Sequence, residues 1–159
     1  MQKLLNVLGK IEEIFVTSAL AFMGMVLALQ ILMRYIFNHP LVWSEELARY
    51  TFVWVTFVGA SYGVHHNAHI RMEAIHKKFP PTLQKIVTIS TNLLAILIFS
   101  YLIPAGIVFT VEQHDIASSA MEIPMSLVFA AVPVGCFVVA FRLLIQTIQI
   151  IKTGGGQQI

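Results

Sequence analysis

Four long apolar stretches, separated by short polar segments, dominate the pattern of this chain. They cover residues 14–33, 50–64, 86–111 and 123–141 and consist mainly of Leu, Ile, Val, Phe, Ala and Met. A helix rises about 1.5 Å per residue, so about 20 residues cross the roughly 30 Å of hydrocarbon in a bilayer. Three stretches meet that length, and the second does so only with the charged segment that precedes it. The pattern predicts an all-α integral membrane protein with four transmembrane helices.

The predicted spans cover about residues 13–36, 43–64, 85–111 and 123–142, within a single domain over residues 1–152. Apolar residues interleaved with charges over residues 1–12 predict an amphipathic arm helix at the membrane interface, continuous with the first span. Residues 143–151 are expected to extend the last span as a second interfacial arm. The third stretch is longer than a bilayer needs, so it must tilt, kink or protrude, and Pro104 offers a kink point. The Gly-rich residues 153–159 are predicted to be disordered.

The charged segment before the second span is the most distinctive part of the sequence. It begins after Pro40, which is expected to end the first helix. Ser44 is a candidate N-cap, and acids in a first turn are favoured by the helix dipole. Glu45 and Arg49 have the i, i+4 spacing of a helical ion pair. Residues 41–49 form either a surface arm or the first two turns of the second span, and the sequence leaves both open.

Basic residues are distributed unevenly between the two sides that four crossings define. With both termini in the cytoplasm, the outer side holds only Arg34 and Arg49. The inner side then holds Lys3, Lys10, Arg71, Lys77, Lys78, Lys85, Arg142 and Lys152. Because cytoplasmic segments of membrane proteins carry an excess of Lys and Arg, this distribution predicts a cytoplasmic N-terminus and a cytoplasmic C-terminus.

Composition and charge argue against several classes of function. Only 11% of residues are charged and 57% are hydrophobic, whereas a soluble domain has about 25% charged residues. The net charge of +2 and the scattered basic residues argue against a nucleic-acid partner. The uncharged runs contain no ionisable group of the kind that lines an ion or proton path. No catalytic constellation is present, so we expect neither an enzyme nor a bound cofactor.

These absences favour a scaffold or anchor for a larger membrane partner, and three other hypotheses are weighed against that role: a metal site, a respiratory membrane anchor and a channel. His65, His66 and His69 have spacings that bring them onto nearby helix faces, but no acid or cysteine completes a metal site. A haem- or quinone-associated membrane anchor subunit of a respiratory enzyme would need histidines deep in the spans, and the stretches contain none. A small homo-oligomeric channel would need polar residues along one span. The lone Cys136 excludes a disulfide and a paired-thiol metal site within the chain.

Several residues are suited to contacts between helices. Gly59 and Gly63, with Ala60 and Ser61, form a cluster of small residues that lets another helix approach closely, within the subunit or in a partner. Scattered Ser and Thr residues, Asn92 and Gln30 are able to hydrogen bond across helices. The charged segment is either a solvated face or a polar contact with a partner, in which Trp43 and Trp54 serve as aromatic anchors.

Five short segments stand out by their order and spacing. They are Arg34-Tyr35-Ile36-Phe37-Asn38, Trp43-Ser44-Glu45-Glu46-Leu47-Ala48-Arg49-Tyr50, Phe52-Val53-Trp54, Gly59-Ala60 and His69-Ile70-Arg71-Met72-Glu73. In this order the segments resemble the small membrane subunit of tripartite ATP-independent periplasmic (TRAP) transporters. The likeness covers roughly residues 10–150. One departure is Glu73, where the family often has Asp.

This resemblance implies a helper role in the bacterial inner membrane. Such a subunit pairs with a large multi-span permease, which carries the substrate and sodium sites, and a periplasmic substrate-binding protein delivers an organic acid such as a C4-dicarboxylate or a sialic acid. The small subunit braces the permease and helps dock the binding protein. The substrate cannot be read from this chain. The candidates for partner-interface or structural residues are Trp43, Ser44, Glu45, Glu46, Arg49, Trp54, Gly59, Gly63, His69, Arg71 and Glu73.

Overall fold

The computed structural model describes the backbone of residues 2–76 and 81–152 and the side chains of residues 7–64 and 82–152. The helices are α1 (Gln2–Ile36), α2 (Val42–His76), α3 (Pro81–Glu112), α4 (Ser126–Phe129) and α5 (Ala131–Lys152). Within the described ranges, the β-structure is limited to one isolated bridge between Ala117 and Pro124. The predicted all-α fold class is confirmed.

Within the described residues, three helical segments are long and apolar enough to cross a membrane. They are Val7–Ile36, Thr82–Glu112 and Ser126–Lys152. The second predicted span lies in α2, a helix of 35 residues that begins with the charged segment. Four crossings and the cytoplasmic position of both termini stay predictions.

The long helices continue without a break through the segments that the sequence left open. Helix α1 is unbroken from Gln2 to Ile36, so the amphipathic N-terminal segment and the first span form one helix as expected. Helix α5 likewise continues to Lys152. Residues 42–49 form the first two turns of α2, which decides against a separate surface arm. The predicted disordered tail, residues 153–159, lies outside the described residues.

Two local predictions at the start of α2 are wrong. The helix begins at Val42, so Ser44 is an internal residue and not the N-cap. The Ser44 hydroxyl instead donates to the Leu41 carbonyl at 2.5 Å. Glu45 and Arg49 form no ion pair, since the Glu45 carboxylate accepts a hydrogen bond from Gln30 of α1 at 2.8 Å. Glu45 therefore pairs with Gln30 of the neighbouring helix α1 and not with Arg49 of its own helix.

The last predicted span also starts later than the sequence indicated. Residues 123–125 are not helical, because Met125 donates its N–H to the Ile116 carbonyl at 2.8 Å and belongs to a loop over residues 113–125. The short helix α4 then precedes α5. Pro133 lies in the first turn of α5, where a missing N–H is tolerated. In contrast, α3 runs on through Pro104 to Glu112.

The four long helices pack in a row in the order α1, α2, α5, α3. Helix α1 packs on α2, α2 on α5, and α5 on α3, with few contacts between α2 and α3; in the described parts of the chain, the backbones of α1 and α5 are not in contact. Helix α5 lies inside the row, and half of the residues in its most apolar part are buried, whereas α1 and α3 form the edges of the row and have few buried residues. We call the end that carries residues 37–41 and 113–125 the loop end, and the opposite end the terminal end.

Glycines mark two places where neighbouring helices approach closely. A Cβ atom at Gly135 of α5 would lie 2.6 Å from the Cβ atom of Phe57 in α2. A Cβ atom at Gly106 of α3 would lie 3.2 Å from the Pro133 ring in α5. Only a residue without a side chain fits at the first position, so Gly135 sets the distance between α2 and α5.

Candidate partner surfaces and buried polar contacts

The Glu46 carboxylate joins the start of α2 to the loop of residues 113–125. Its two oxygens accept hydrogen bonds from the backbone N–H groups of Ala120 and Met121, each at 3.1 Å. A carboxylate that accepts from backbone N–H groups makes charge-assisted bonds, which are shorter and stronger than neutral ones. Glu122, at the end of this segment, has a φ angle of 54°, so the chain turns sharply there. Glu46 thus orders the chain's own loop.

The other residues of the charged segment have different surroundings. Ser44 is fully buried, and Glu45 binds Gln30 across to α1. Trp43 and Arg49 are exposed at the loop end. Glu45 is exposed as well, in addition to its contact with Gln30, so three residues of the segment lie on the surface of the chain.

Trp54 makes a second contact between α2 and the segment that follows the loop. Its indole N–H donates to the Leu127 carbonyl of α4 at 3.2 Å, so α2 and α4 are joined across 73 residues of sequence. Phe129 of α4 in turn packs edge to face against Phe109 of α3, with ring centroids 4.8 Å apart. Trp54 therefore serves the internal packing of the chain.

Two members of the small-residue cluster of α2, Gly59 and Ser61, contact α1, whereas Ala60 is exposed. A Cβ atom at Gly59 would lie 3.8 Å from Val16 of α1, which is ordinary van der Waals contact. Ser61 is 1% exposed, and Gly63 is half buried. Of the two alternatives that the sequence left open, the structure thus gives Gly59 and Ser61 an internal role.

A buried polar cluster that the sequence did not indicate lies toward the terminal end. Arg142 of α5 donates from Nη2 to the Glu12 carboxylate of α1 at 2.7 Å, and Ser61 of α2 donates to the other oxygen of Glu12 at 3.0 Å. The side chains of Arg142 and Glu12 are 3% and 9% exposed. It is the one ion pair within the described residues. We name the three residues the Glu12–Ser61–Arg142 cluster.

Sequence reasoning missed this cluster because both charged residues lie at the ends of apolar stretches. A charged side chain at such a position is expected to extend to water at the membrane surface. A usable signal was present in the pattern. Glu12 directly precedes Glu13, which is exposed, so one of the two acids points toward the other helices.

Two of the polar residues expected to bond across helices do so. Gln30 joins α1 to α2, as described above. Asn92 of α3 donates to the Thr147 hydroxyl of α5 at 3.3 Å, and both residues are buried. These predictions are confirmed, and each contact lies between helices that are neighbours in the row.

The remaining site candidates, His69, Arg71 and Glu73, lie in the last turns of α2, where side chains are outside the described residues. The same holds for His65 and His66. Within the parts of the chain whose side chains are described, no group of three or more His, Cys, Asp and Glu residues is arranged to hold a metal.

The outer faces of the two edge helices are wide and apolar. The exposed residues of α3 are mostly bulky, and Tyr101 is 77% exposed. The exposed face of α1 includes large residues such as Met25 and also Gly24, where a Cβ atom would meet no heavy atom within 4 Å. Apolar surface of this extent is stable only against lipid or another membrane protein.

Comparison with known proteins identifies the family. Residues 1–153 match the family described as tripartite ATP-independent periplasmic transporters, DctQ component. A Haemophilus influenzae protein named as a TRAP transporter small permease protein is 34% identical, covering 97% of this chain and 98% of that protein. The sialic acid TRAP transporter small permease protein SiaQ of Vibrio cholerae is 25% identical, covering 96% of this chain and 88% of its own length.

A longer protein also matches nearly the whole chain. The sialic acid TRAP transporter permease protein SiaT of Haemophilus influenzae is 32% identical over 92% of this chain, which covers only 24% of SiaT. These relatives are components of transporters and not enzymes.

Proposed function

We infer the role of this chain from its family: the chain belongs to the DctQ components of TRAP transporters and is a small permease subunit. We propose that it braces the large permease subunit in the bacterial inner membrane. We further propose that it helps dock a periplasmic substrate-binding protein during the sodium-coupled uptake of an organic acid.

The observation that carries the bracing role is the row of four long helices. A row leaves both edge helices uncovered, whereas a closed bundle would bury one face of every helix. In this chain most of α1 and α3 stays exposed. The uncovered faces provide the surface on which a larger membrane protein packs.

The relative SiaT supports the choice of partner. This chain aligns with about a quarter of a protein named as a permease, so a unit like this one occurs within the same polypeptide as a much longer sequence. Two units that are joined in one relative often associate as separate chains in another. We propose that the partner of this chain corresponds to the remainder of such a protein.

The proposed orientation places the loop end in the periplasm and the terminal end in the cytoplasm, as the distribution of Lys and Arg predicts. The exposed Trp43 and Arg49 then face the side from which a binding protein arrives. An aromatic residue and an arginine are the types enriched in protein–protein interfaces. The names of SiaT and SiaQ support a small carboxylate as the substrate class.

Co-purification tests the proposed role directly. The tagged chain is expressed in its native host, extracted in a mild detergent and purified. We expect it to carry a large permease in a fixed ratio, and we expect the purified complex to take up solute into proteoliposomes only when a binding protein is added. Uptake by this chain alone, without a second membrane protein, would contradict the proposal.

The docking role has its own test. Trp43→Ala with Arg49→Ala should weaken uptake at limiting binding protein, because both side chains are exposed at the loop end. Glu13→Gln, exposed on α1 near the terminal end, is the matched control. Unchanged dependence of uptake on binding-protein concentration would refute a docking role for these two residues.

A further inference from the structure

We propose that the Glu12–Ser61–Arg142 cluster is an assembly lock that selects which helices become neighbours in the membrane. It acts within this chain, so the inference is independent of the transporter partner. The cluster fixes the order α1, α2, α5 at the terminal end.

The cluster bridges two helices that are not direct neighbours in the row. In the described residues, the backbones of α1 and α5 are not in contact, since α2 lies between them. The long Arg142 side chain nevertheless reaches Glu12 at 2.7 Å, and Ser61 of the intervening helix binds the same carboxylate at 3.0 Å. One carboxylate therefore joins three helices, and the contact closes a loop of 130 residues along the sequence.

Polar contacts have a larger part in selecting helix neighbours in lipid than in water. Lipid tails are as apolar as Leu, so a bilayer gives no hydrophobic preference for one apolar helix face over another. The chain offers several such faces of similar composition, and few of its apolar side chains are fully buried. Selection among alternative neighbours must come from shape and from polar contacts.

Wrong arrangements of the helices are costly because Arg142 is charged and buried. Arg142 is 4% exposed, and its Nε and Nη1 groups have no hydrogen-bond partner in the described part of the chain. Among the residues whose side chains are described, the carboxylate of Glu12 is the one acceptor that balances the buried guanidinium. Any packing that separates α1 from α5 leaves a buried charge without a counter-ion, which is strongly unfavourable.

The position of the cluster supports this role. The loop end is already joined by Glu46, by Trp54 and by the contact between Gln30 and Glu45. At the terminal end, within the described residues, the cluster is the contact that ties α1 to α2 and α5. A buried polar contact that fixes which helices pair is the best-supported use of such groups in proteins.

A cross-link between α1 and α2 tests the lock without reference to any partner. In a Cys136→Ser background, Val16→Cys with Gly59→Cys introduces two thiols at a contact one helical turn from Glu12. The yield of disulfide in native membranes then reports how often α1 lies on α2. The fraction of each variant that stays with the membranes after alkaline carbonate extraction measures how much of it is inserted.

Four variants give opposing expectations. Glu12→Gln and Arg142→Met each leave one buried polar group without its counter-ion, and we expect the yield to fall by about tenfold. Glu12→Leu with Arg142→Met removes both charges, so the chain still inserts, but the yield stays below that of the unmodified pair because selection is lost. Glu13→Gln, the exposed neighbour, should leave the yield unchanged.

Two results would overturn the proposal. Single variants that cross-link as well as the unmodified pair would show that the ion pair selects nothing. A double apolar variant that recovers the full yield would show that the cluster is replaceable by ordinary packing. Loss of co-purified permease, by contrast, bears on the proposed function and not on the lock.

Discussion

Gly135 provides a test of whether α2 and α5 are as close as the structure places them. A Cβ atom at this position would lie 2.6 Å from the Cβ atom and 3.2 Å from the carbonyl carbon of Phe57. A side chain alone could turn away, but the backbone of a helix cannot. Gly135→Ala therefore requires α5 and α2 to move apart along the row.

The magnitude follows from two opposing effects. Overpacking at a close contact costs about 1–3 kcal/mol. Alanine is better than glycine inside a helix by about 0.5–1 kcal/mol, which offsets part of that cost. We expect Gly135→Ala to lower the free energy of unfolding by about 0–2.5 kcal/mol, toward the upper value because the clash involves backbone.

Two other glycines supply matched controls. At Gly24 of α1, an added Cβ atom meets no heavy atom within 4 Å, so only the gain in helix propensity remains. We expect Gly24→Ala to raise the free energy of unfolding by up to about 0.5–1 kcal/mol. At Gly59 the added atom would lie 3.8 Å from Val16, an ordinary contact, and Gly59→Ala should behave like Gly24→Ala.

The assay is thermal unfolding of each purified variant in one detergent, followed by circular dichroism. The unmodified chain is measured beside the three variants at equal protein concentration. Because all three substitutions are Gly→Ala inside helices, any difference between them reports the surroundings and not the residue type. Equal melting temperatures for Gly135→Ala and Gly24→Ala would refute the close approach of α5 to α2.

Two further predictions concern the loop end. Glu46→Gln removes the charge that holds the loop, so the backbone amides of Ala120 and Met121 should exchange with deuterium faster, and unchanged exchange would mean that the carboxylate does not order the loop. Trp54→Phe keeps an aromatic ring but removes the donor to the Leu127 carbonyl. It should lower the free energy of unfolding by about 0.5–1.5 kcal/mol in the same thermal assay. A change in stability within the scatter of repeated measurements on the unmodified chain would contradict the hydrogen bond.

The class of fold could be predicted because hydrophobicity alone determines it. Stretches of 20 or more apolar residues must be helical in a bilayer, where every backbone group needs an internal partner. The start of α2 was the hardest boundary, since Ser44 and the acids after it fit both an N-cap and an internal turn. The structure selects the longer helix, because Ser44 bonds back to Leu41 within the same turn.

The roles of the polar residues could be predicted only in part. Gln30 and Asn92 lie within apolar stretches, where an amide has few alternatives to another helix, and both were expected to bond across helices. Glu46 was read as a surface or partner residue, because the sequence contains no information about which loop folds over it. Its oxygens accept hydrogen bonds from the backbone N–H groups of Ala120 and Met121, which lie 74 and 75 positions further along the chain.

The order of the helices in the row was beyond reach for a physical reason. In a soluble protein the apolar face of each helix points to the core, so its position on the sequence predicts its neighbours. In a membrane every face of a span is apolar. On α1 and α3, a face that contacts lipid therefore has the same kinds of residues as a face that contacts protein. What distinguishes the neighbours is a small number of polar side chains and the absence of a side chain at Gly135. Arg142 meets Glu12 and Asn92 meets Thr147 only in one order of helices. The specificity of this fold therefore lies in residues that a hydrophobicity pattern treats as exceptions.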